Sequence, residues 1–213
     1  MKKFAIGCGA LVVLAGFFVV IVGLWAVAAN NSLVRQSQNV DNKWADVQTD
    51  YQRRADLIPN LVGTVQGAAN FEKSTLEAVT QARASVGQVK INPNTAPTDA
   101  QQLAEYEKAQ GQLSSALSRL LVVSERYPEL KANNNFVGLQ AQLEGTENRI
   151  AVARRDFNDA VRAYNTSVQS FPGSIVAGIR HFVVKPYFNA APGSETAPKV
   201  EFNFNNTNTS PAK

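Results

Sequence analysis

Apolar positions along this chain change period once, near residue 30, and that change predicts its organisation. From Phe4 to Ala29 there is no charge and no strongly polar side chain. At about 1.5 Å per helical residue this run spans the ~30 Å hydrocarbon core of a bilayer with some tilt, which predicts a transmembrane helix within residues 1–30. From Ser32 to Arg54 the apolar and aromatic residues are Leu33, Val40, Trp44, Val47 and Tyr51, at gaps of seven, four, three and four, the stripe of an amphipathic helix. Beyond Pro59 the series Leu61, Val65, Ala68, Thr75, Val79, Ala82 and Val86 predicts a second helical region, closed by Gly87 and by the proline-bearing loop Ile91-Asn92-Pro93-Asn94-Thr95-Ala96-Pro97. Thr98-Asp99 supply N-cap chemistry for a third helix whose stripe runs from Leu103 through Tyr106, Gln110, Leu113, Leu117, Leu120 and Ser124 to Tyr127, with Pro128 closing it. Asn133-Asn134-Asn135 turn the chain and cap a fourth, in which Phe136, Leu139, Leu143, Thr146, Ile150, Ala153, Phe157, Ala160, Tyr164 and Ser167 keep the same three-four alternation. Phe171-Pro172-Gly173 ends it.

More than four heptads of such positions specify a narrow seam and left-handed, coiled-coil-like packing. The fold class is therefore all-α: an amino-terminal transmembrane helix followed by an elongated antiparallel, up-and-down four-helix bundle over residues 31–172. This count depends on Pro59. Proline has no amide hydrogen and disfavours helical dihedrals at Ile58, so either a long helix is kinked there or one helix ends and Asp56 caps the next. The break gives helices of about 25, 30, 29 and 36 residues, matched for a bundle, and is the expected form. The counter-observation is that the stripe holds its phase from Ile58 to Leu61 and no glycine marks a turn. Parity follows: four helices return the carboxyl end to the membrane side, three leave it distal.

Residues 173–188 form a short apolar segment, Ile175-Val176-Ala177-Gly178-Ile179 and Phe182-Val183-Val184, interspersed with Arg180, His181 and Lys185. It could cap the open end of the bundle or lie on the membrane surface with its basic residues toward headgroups. Residues 189–213, rich in Asn, Thr, Pro and Ser, are expected to be disordered. The Asn-x-Ser/Thr triplets at Asn205 and Asn208 are read as composition.

At the amino end, Ala26-Val27-Ala28 has the small-x-small form of a signal-peptidase site, but the apolar run is about twice the usual ~7–15 residues, and a lipoprotein reading through Ala5-Ile6-Gly7-Cys8 places the hydrophobic run on the wrong side of the cysteine. Lys2 and Lys3 before the span, against Arg35 and Lys43 after it, slightly favour a cytoplasmic amino terminus and an extracytoplasmic body. Gly9, Gly16 and Gly23 recur every seven residues on one stripe of the span, which would admit a partner helix; ordinary glycine tolerance in membrane helices is the alternative.

Net charge is +4, but the 21 Lys and Arg are interleaved with 17 Asp and Glu rather than clustered, which argues for solvated helix faces and against nucleic-acid binding. Cys8 is the only cysteine, so no intramolecular disulfide forms. His181 is the only histidine, so no histidine-pair metal site exists, and no phosphate loop or activated serine or cysteine nucleophile is present. No catalytic, cofactor-binding or metal-binding residue is assigned. Arg53-Arg54 with Asp56, and Arg154-Arg155-Asp156, recur on different helices; a buried ion-pair network is one reading, and exposed helix-face charge is the preferred one.

The chain resembles the LemA family of bacterial membrane proteins. The resemblance runs from about residue 30 to 190 and is carried by Trp44, by Arg53-Arg54-Ala55-Asp56-Leu57-Ile58-Pro59-Asn60-Leu61-Val62, by Glu72 and Leu76-Glu77-Ala78-Val79-Thr80-Gln81-Ala82-Arg83, by Glu125-Arg126-Tyr127-Pro128-Glu129-Leu130-Lys131-Ala132, by Phe136 and Leu139 through Ile150, and by Ala153-Arg154, Phe157-Asn158 and Tyr164-Asn165. Asn70 stands where relatives often carry histidine, and Phe157 where many carry tyrosine. The resemblance implies an amino-terminal anchor, a four-helix bundle and no established enzymatic activity. The expected function is that of a non-enzymatic, single-pass protein of the bacterial cytoplasmic membrane, a scaffold or self-assembling element whose partners are the bilayer and its own copies. An adaptor that binds a membrane or envelope protein through exposed helix faces or the tail is the alternative.

Overall fold

The computed structural model describes residues 2–67 and 71–189, with side chains from residue 13 onward. Among the described residues the chain is all-helical: α1 Lys2–Gln66, α2 Lys73–Gln88, α3 Ala100–Ser124, α4 Pro128–Lys131, α5 Asn134–Gln169 and α6 Gly173–Arg180. The expected disorder of 189–213, apart from Asn189, lies outside the described residues, as do Asn70, Asn205 and Asn208. Asp99 and Asn133 cap α3 and α5: the Asp99 carboxylate accepts from the Gln101 amide at 2.8 Å, and the Asn133 side chain accepts from the amides of Asn135 and Phe136.

Helix α1 is 65 residues long, about 97 Å at the usual rise. It is the one described helix long and apolar enough to cross a membrane by length and composition. Its character changes along its length. Val13 through Val22 are exposed, whereas Leu33, Val40, Trp44, Val47, Tyr51, Ile58, Leu61 and Val65 are buried.

The expected break over 53–60 does not occur: α1 runs through Pro59 without interruption. The physical reason is local. Pro59 lies on the exposed face, and the carbonyl it deprives of an intrahelical donor, that of Ala55, accepts instead from Nε of Arg83 on α2 at 3.2 Å. An interior proline disfavours a helix by about 3 kcal/mol. Burial of Ile58, Leu61 and Val65 at roughly 1.5–3 kcal/mol each outweighs that, and only a continuous helix keeps all three on the seam. The segment Arg53, Arg54, Asp56, Leu57, Ile58, Pro59 and Asn60 is therefore helix interior, not a turn. Leu61 and Val65 belong to α1, and the second helical stretch is 16 residues, about half the expected length. The reversal comes later, after Gly67. From there contacts step backward along α1: Arg83 to Ala55, the Asn92 carbonyl to Trp44 Nε1 at 2.8 Å, and the Ala96 amide to Asp41 at 3.0 Å.

Contacts between α1 and α5 likewise step up one helix as they step down the other, through Lys43–Asp156, Asp50–Arg149 and Arg54–Glu147. Those between α1 and α3 advance together, through Gln48–Tyr106 and Arg54–Gln110. The buried side chains fall into two clusters. One, nearer the apolar span, is built around Leu33, Trp44, Tyr51, Tyr106, Phe157 and Tyr164. The other, distal, is built around Ile58, Leu61, Leu113, Leu117, Phe136 and Leu143.

Helix α6 returns to the level of the apolar span. Val176 and Ala177 of α6 join the cluster of Leu33, against which Trp25 and Ala29 also pack. The turn from α5 into α6 brings backbone against backbone, and a Cβ at Gly173 would meet the Ser167 carbonyl oxygen at 2.2 Å.

Pro59→Ala restores a donor to the α1 ladder without removing a turn. Far-UV circular dichroism should be unchanged and chemical-denaturation stability equal or higher, by up to about 3 kcal/mol. A drop in stability would indicate that proline nucleates a separate helix there.

Candidate functional site

Between the two apolar clusters lies a polar layer centred on Arg54. Spacing explains its position. Three residues after Tyr51 and four before Ile58, Arg54 occupies a seam position of α1, and it is only 1% exposed. Facing it on α3 is Gln110, also on the seam and buried, with Thr146 buried on α5. The guanidinium donates from Nη1 to Ser114 Oγ and to Glu147 Oε1, each at 2.7 Å, and from Nη2 to Gln110 Oε1. Its Nε is buried without a partner. The Tyr51 ring lies 5.2 Å from the guanidinium carbon. Burial pushes the Tyr51 hydroxyl up to about 12 against the opposing charges of Arg154 and Arg54, so it stays a neutral phenol.

A cleft of about 440 Å³ adjoins this layer, bordered by Arg54 at one end and by Arg154 and Asn189 at the other. Arg154 Nη2 donates to Glu107 Oε1 at 2.5 Å and to the Asn189 carbonyl at 3.1 Å, and its guanidinium lies 4.6 Å from the Phe188 ring centroid. Burial raises the Glu107 carboxyl above its ordinary range, opposed by the Asn189 amide and by the Arg154 charge. The preferred reading of both arginine clusters as exposed helix-face charge thus fails for Arg54, which is buried, while Arg154 is half-buried. These two border one cleft, each paired with its own glutamate, and the result is a charge-balanced structural layer. Arg53, Arg155, Asp56 and Asp156 do lie exposed.

A second construction meets this one at Asn189. Residues 182–189, which leave α6, lie along α5 and are held by two asparagines. The Asn165 side chain exchanges hydrogen bonds with the Lys185 backbone at 2.8 and 2.9 Å, and Asn158 does the same with Phe188 at 3.0 and 2.9 Å. The match is geometric: seven helical residues rise about 10.5 Å, the length of roughly three extended residues. Tyr164 donates to the Val183 carbonyl at 2.9 Å, buried Lys185 pairs with Asp41 at 2.8 Å, and Phe188 packs on Trp44 and Phe157. In both Phe157-Asn158 and Tyr164-Asn165, then, the aromatic enters the core and the asparagine holds the strap.

The remaining residues singled out in the sequence are dispersed. Asp56 accepts from Gln52 Nε2 at 2.7 Å on the outer face, Asn60 and Pro59 are exposed, Leu57 is half-buried and Ile58 is in the core. Gly16 and Gly23 have open space where a side chain would stand, while the surroundings of Gly9 and Cys8 lie outside the described side chains. His181 is exposed and ends α6 with a left-handed backbone, φ 56°. Among the described residues no group of three His, Cys, Asp or Glu is placed to hold a metal ion. The roles of Gln110, Glu147, Lys185 and the two asparagines were missed. Gln110 stood on a named seam; the strap residues carried no periodic signal.

A model of the LemA family matches residues 43–202. Among curated proteins, the chain is similar to Protein LemA of Metamycoplasma hominis, 24% identical over 164 residues, covering 76% of this chain and 70% of that protein. It is also similar to Magnetosome protein MamQ 2 of Paramagnetospirillum magneticum, 27% identical over 181 residues, and to Magnetosome protein MamQ of Magnetospirillum gryphiswaldense, 26% identical over 181 residues. Each of these two alignments covers 78% of this chain and 66% of the relative.

Removing one member of the Arg54 layer should be worse than removing the pair. Glu147→Ala leaves a buried guanidinium without its half-exposed carboxylate and should lower unfolding free energy by about 1–2 kcal/mol. Adding Arg54→Met should recover most of that loss in urea titrations, and an additive loss in the double variant would contradict the coupling.

Proposed function

Because the chain belongs to the LemA family, we propose that it is a non-enzymatic, single-pass membrane protein whose body is an up-and-down four-helix bundle serving as a scaffold that associates with its own copies. The observation that carries this reading is the continuity of α1. One unbroken helix supplies both the apolar, exposed stretch of membrane length and the seam on which the body packs, so anchor and body move as one element. A jointless connection of this kind transmits orientation, which suits a scaffold. Buried Arg54 and half-buried Arg154 pair with glutamates of the same chain, which supports reading the polar layer as holding register. The opposed stepping of contacts along α1 and α5 supports the bundle arrangement.

Self-association is assigned to the span, where Gly16 and Gly23 leave one helix face open to a second copy and Gly9 continues the same stripe in sequence. Lys2 and Lys3 before the span, against Arg35 and Lys43 after it, support a body outside the cytoplasm. A second reading is an adaptor that binds another membrane or envelope protein through exposed helix faces or the tail.

Sedimentation of the full chain in mild detergent at micromolar concentration tests the scaffold reading. A defined oligomer is expected, and replacing Gly9, Gly16 and Gly23 together with leucine should shift it toward monomer. A monomer for the unaltered chain, with crosslinking in membranes yielding one foreign partner, would transfer the function to the adaptor.

A further inference from the structure

Helix α6 divides its apolar residues between two faces. Val176 and Ala177 are buried against the body, whereas Ile175 and Ile179, about one turn apart, are 52% and 72% exposed, as is Phe171 in the turn that precedes the helix, at 80%. In a body whose other helices bury most of their large apolar side chains, a ridge of two isoleucines and a phenylalanine left in water needs an occupant.

Its position identifies one. The buried face of α6 belongs to the same cluster as Leu33, and Trp25 and Ala29 pack against that cluster. Trp25 is half-buried, while Leu24 and Val27 beside it are exposed along the apolar span. The body therefore begins where the span ends, at a tryptophan, the residue type favoured at the bilayer boundary. The ridge sits at this same end of the molecule, where α1 leaves the body for the membrane.

The two chain segments at that end carry no acid of their own. Neither residues 22–40 nor residues 160–189 contain an Asp or Glu. Arg35 and Arg180 are exposed there, whereas Lys185 is engaged by Asp41 and Arg162 by Asp159. An apolar ridge carried on segments that hold exposed arginines and no acid is complementary to the headgroup region of an anionic bilayer.

We propose that Phe171, Ile175 and Ile179 form a second membrane contact, seated at the boundary between acyl chains and headgroups beside the exit of α1. This rests on the membrane-anchor reading above and adds to it: the chain meets the bilayer at two places. The span fixes the depth of the body, and the α6 ridge fixes the rotation of the body about the axis of α1. The strap 182–189, clamped to α5, joins that contact to the polar layer at Asn189.

The test uses the full chain with Cys8→Ser and one new cysteine, Ile179→Cys, Phe18→Cys or Val122→Cys, each labelled with an environment-sensitive fluorophore. The proteins are reconstituted into vesicles of phosphatidylcholine with phosphatidylglycerol, with or without nitroxide-bearing lipid. The label at Ile179 should emit blue-shifted and be quenched by the nitroxide lipid, less deeply placed than that at Phe18, while the label at Val122 remains in water. An Ile179 label that emits as Val122 does overturns the second contact. So does one that is blue-shifted but untouched by the lipid quencher, which would show a second copy covering the ridge. If the Phe18 label is also in water, the anchor reading has failed; if Phe18 is in lipid and Ile179 is not, only the second contact has. Circular dichroism of each labelled protein confirms that the helices are retained.

Discussion

Register between the long helices depends on one buried cation. Arg54 stands at a seam position where an apolar residue would pack equally well against several offsets of its neighbours, but a guanidinium with fixed donor directions accepts only one. With Glu147 of α5 on one side and Gln110 and Ser114 of α3 on the other, it ties three helices at a single level. The two apolar clusters lie on either side of that level. Apolar burial supplies most of the stability of such a body, and the polar layer selects which apolar residues meet.

The same economy of donors and acceptors explains the two features that depart most from regular helical structure. Pro59 removes a donor from α1, and Arg83 of α2 supplies one in its place, so a potential break becomes a cross-helix contact. The strap 182–189 has no helical partners for its backbone, and Asn158 and Asn165 provide them at a spacing that matches helix rise to extended chain. Each device joins a sequence-local irregularity to a distant side chain.

This also accounts for what could be read from the sequence. The stripes on α3 and α5 from Leu103 and from Phe136, the caps at Asp99 and Asn133, and the apolar span were all legible, because each is a local pattern whose period is that of the element it forms. The continuity through Pro59 was visible only as an unbroken phase, and the rule that proline ends helices pointed the other way; the carbonyl partner that settles it lies 28 residues away. Arg54 was hidden by its chemistry. A charged residue is read as exposed unless its period is given priority, and here the period was right. The strap was illegible because no repeat announces a non-helical segment held by side chains of another element.

The central claim is that the helix leaving the membrane span runs uninterrupted through Pro59 to the distal end of the body. Spin labels at Gln38→Cys and Gln66→Cys in the Cys8→Ser background, both exposed on α1, measure this directly by pulsed electron spin resonance in bilayers. A continuous helix places these sites about 42 Å apart with a narrow distribution. A distance of roughly 20–25 Å, the separation left if the chain folded back at Pro59, would contradict it.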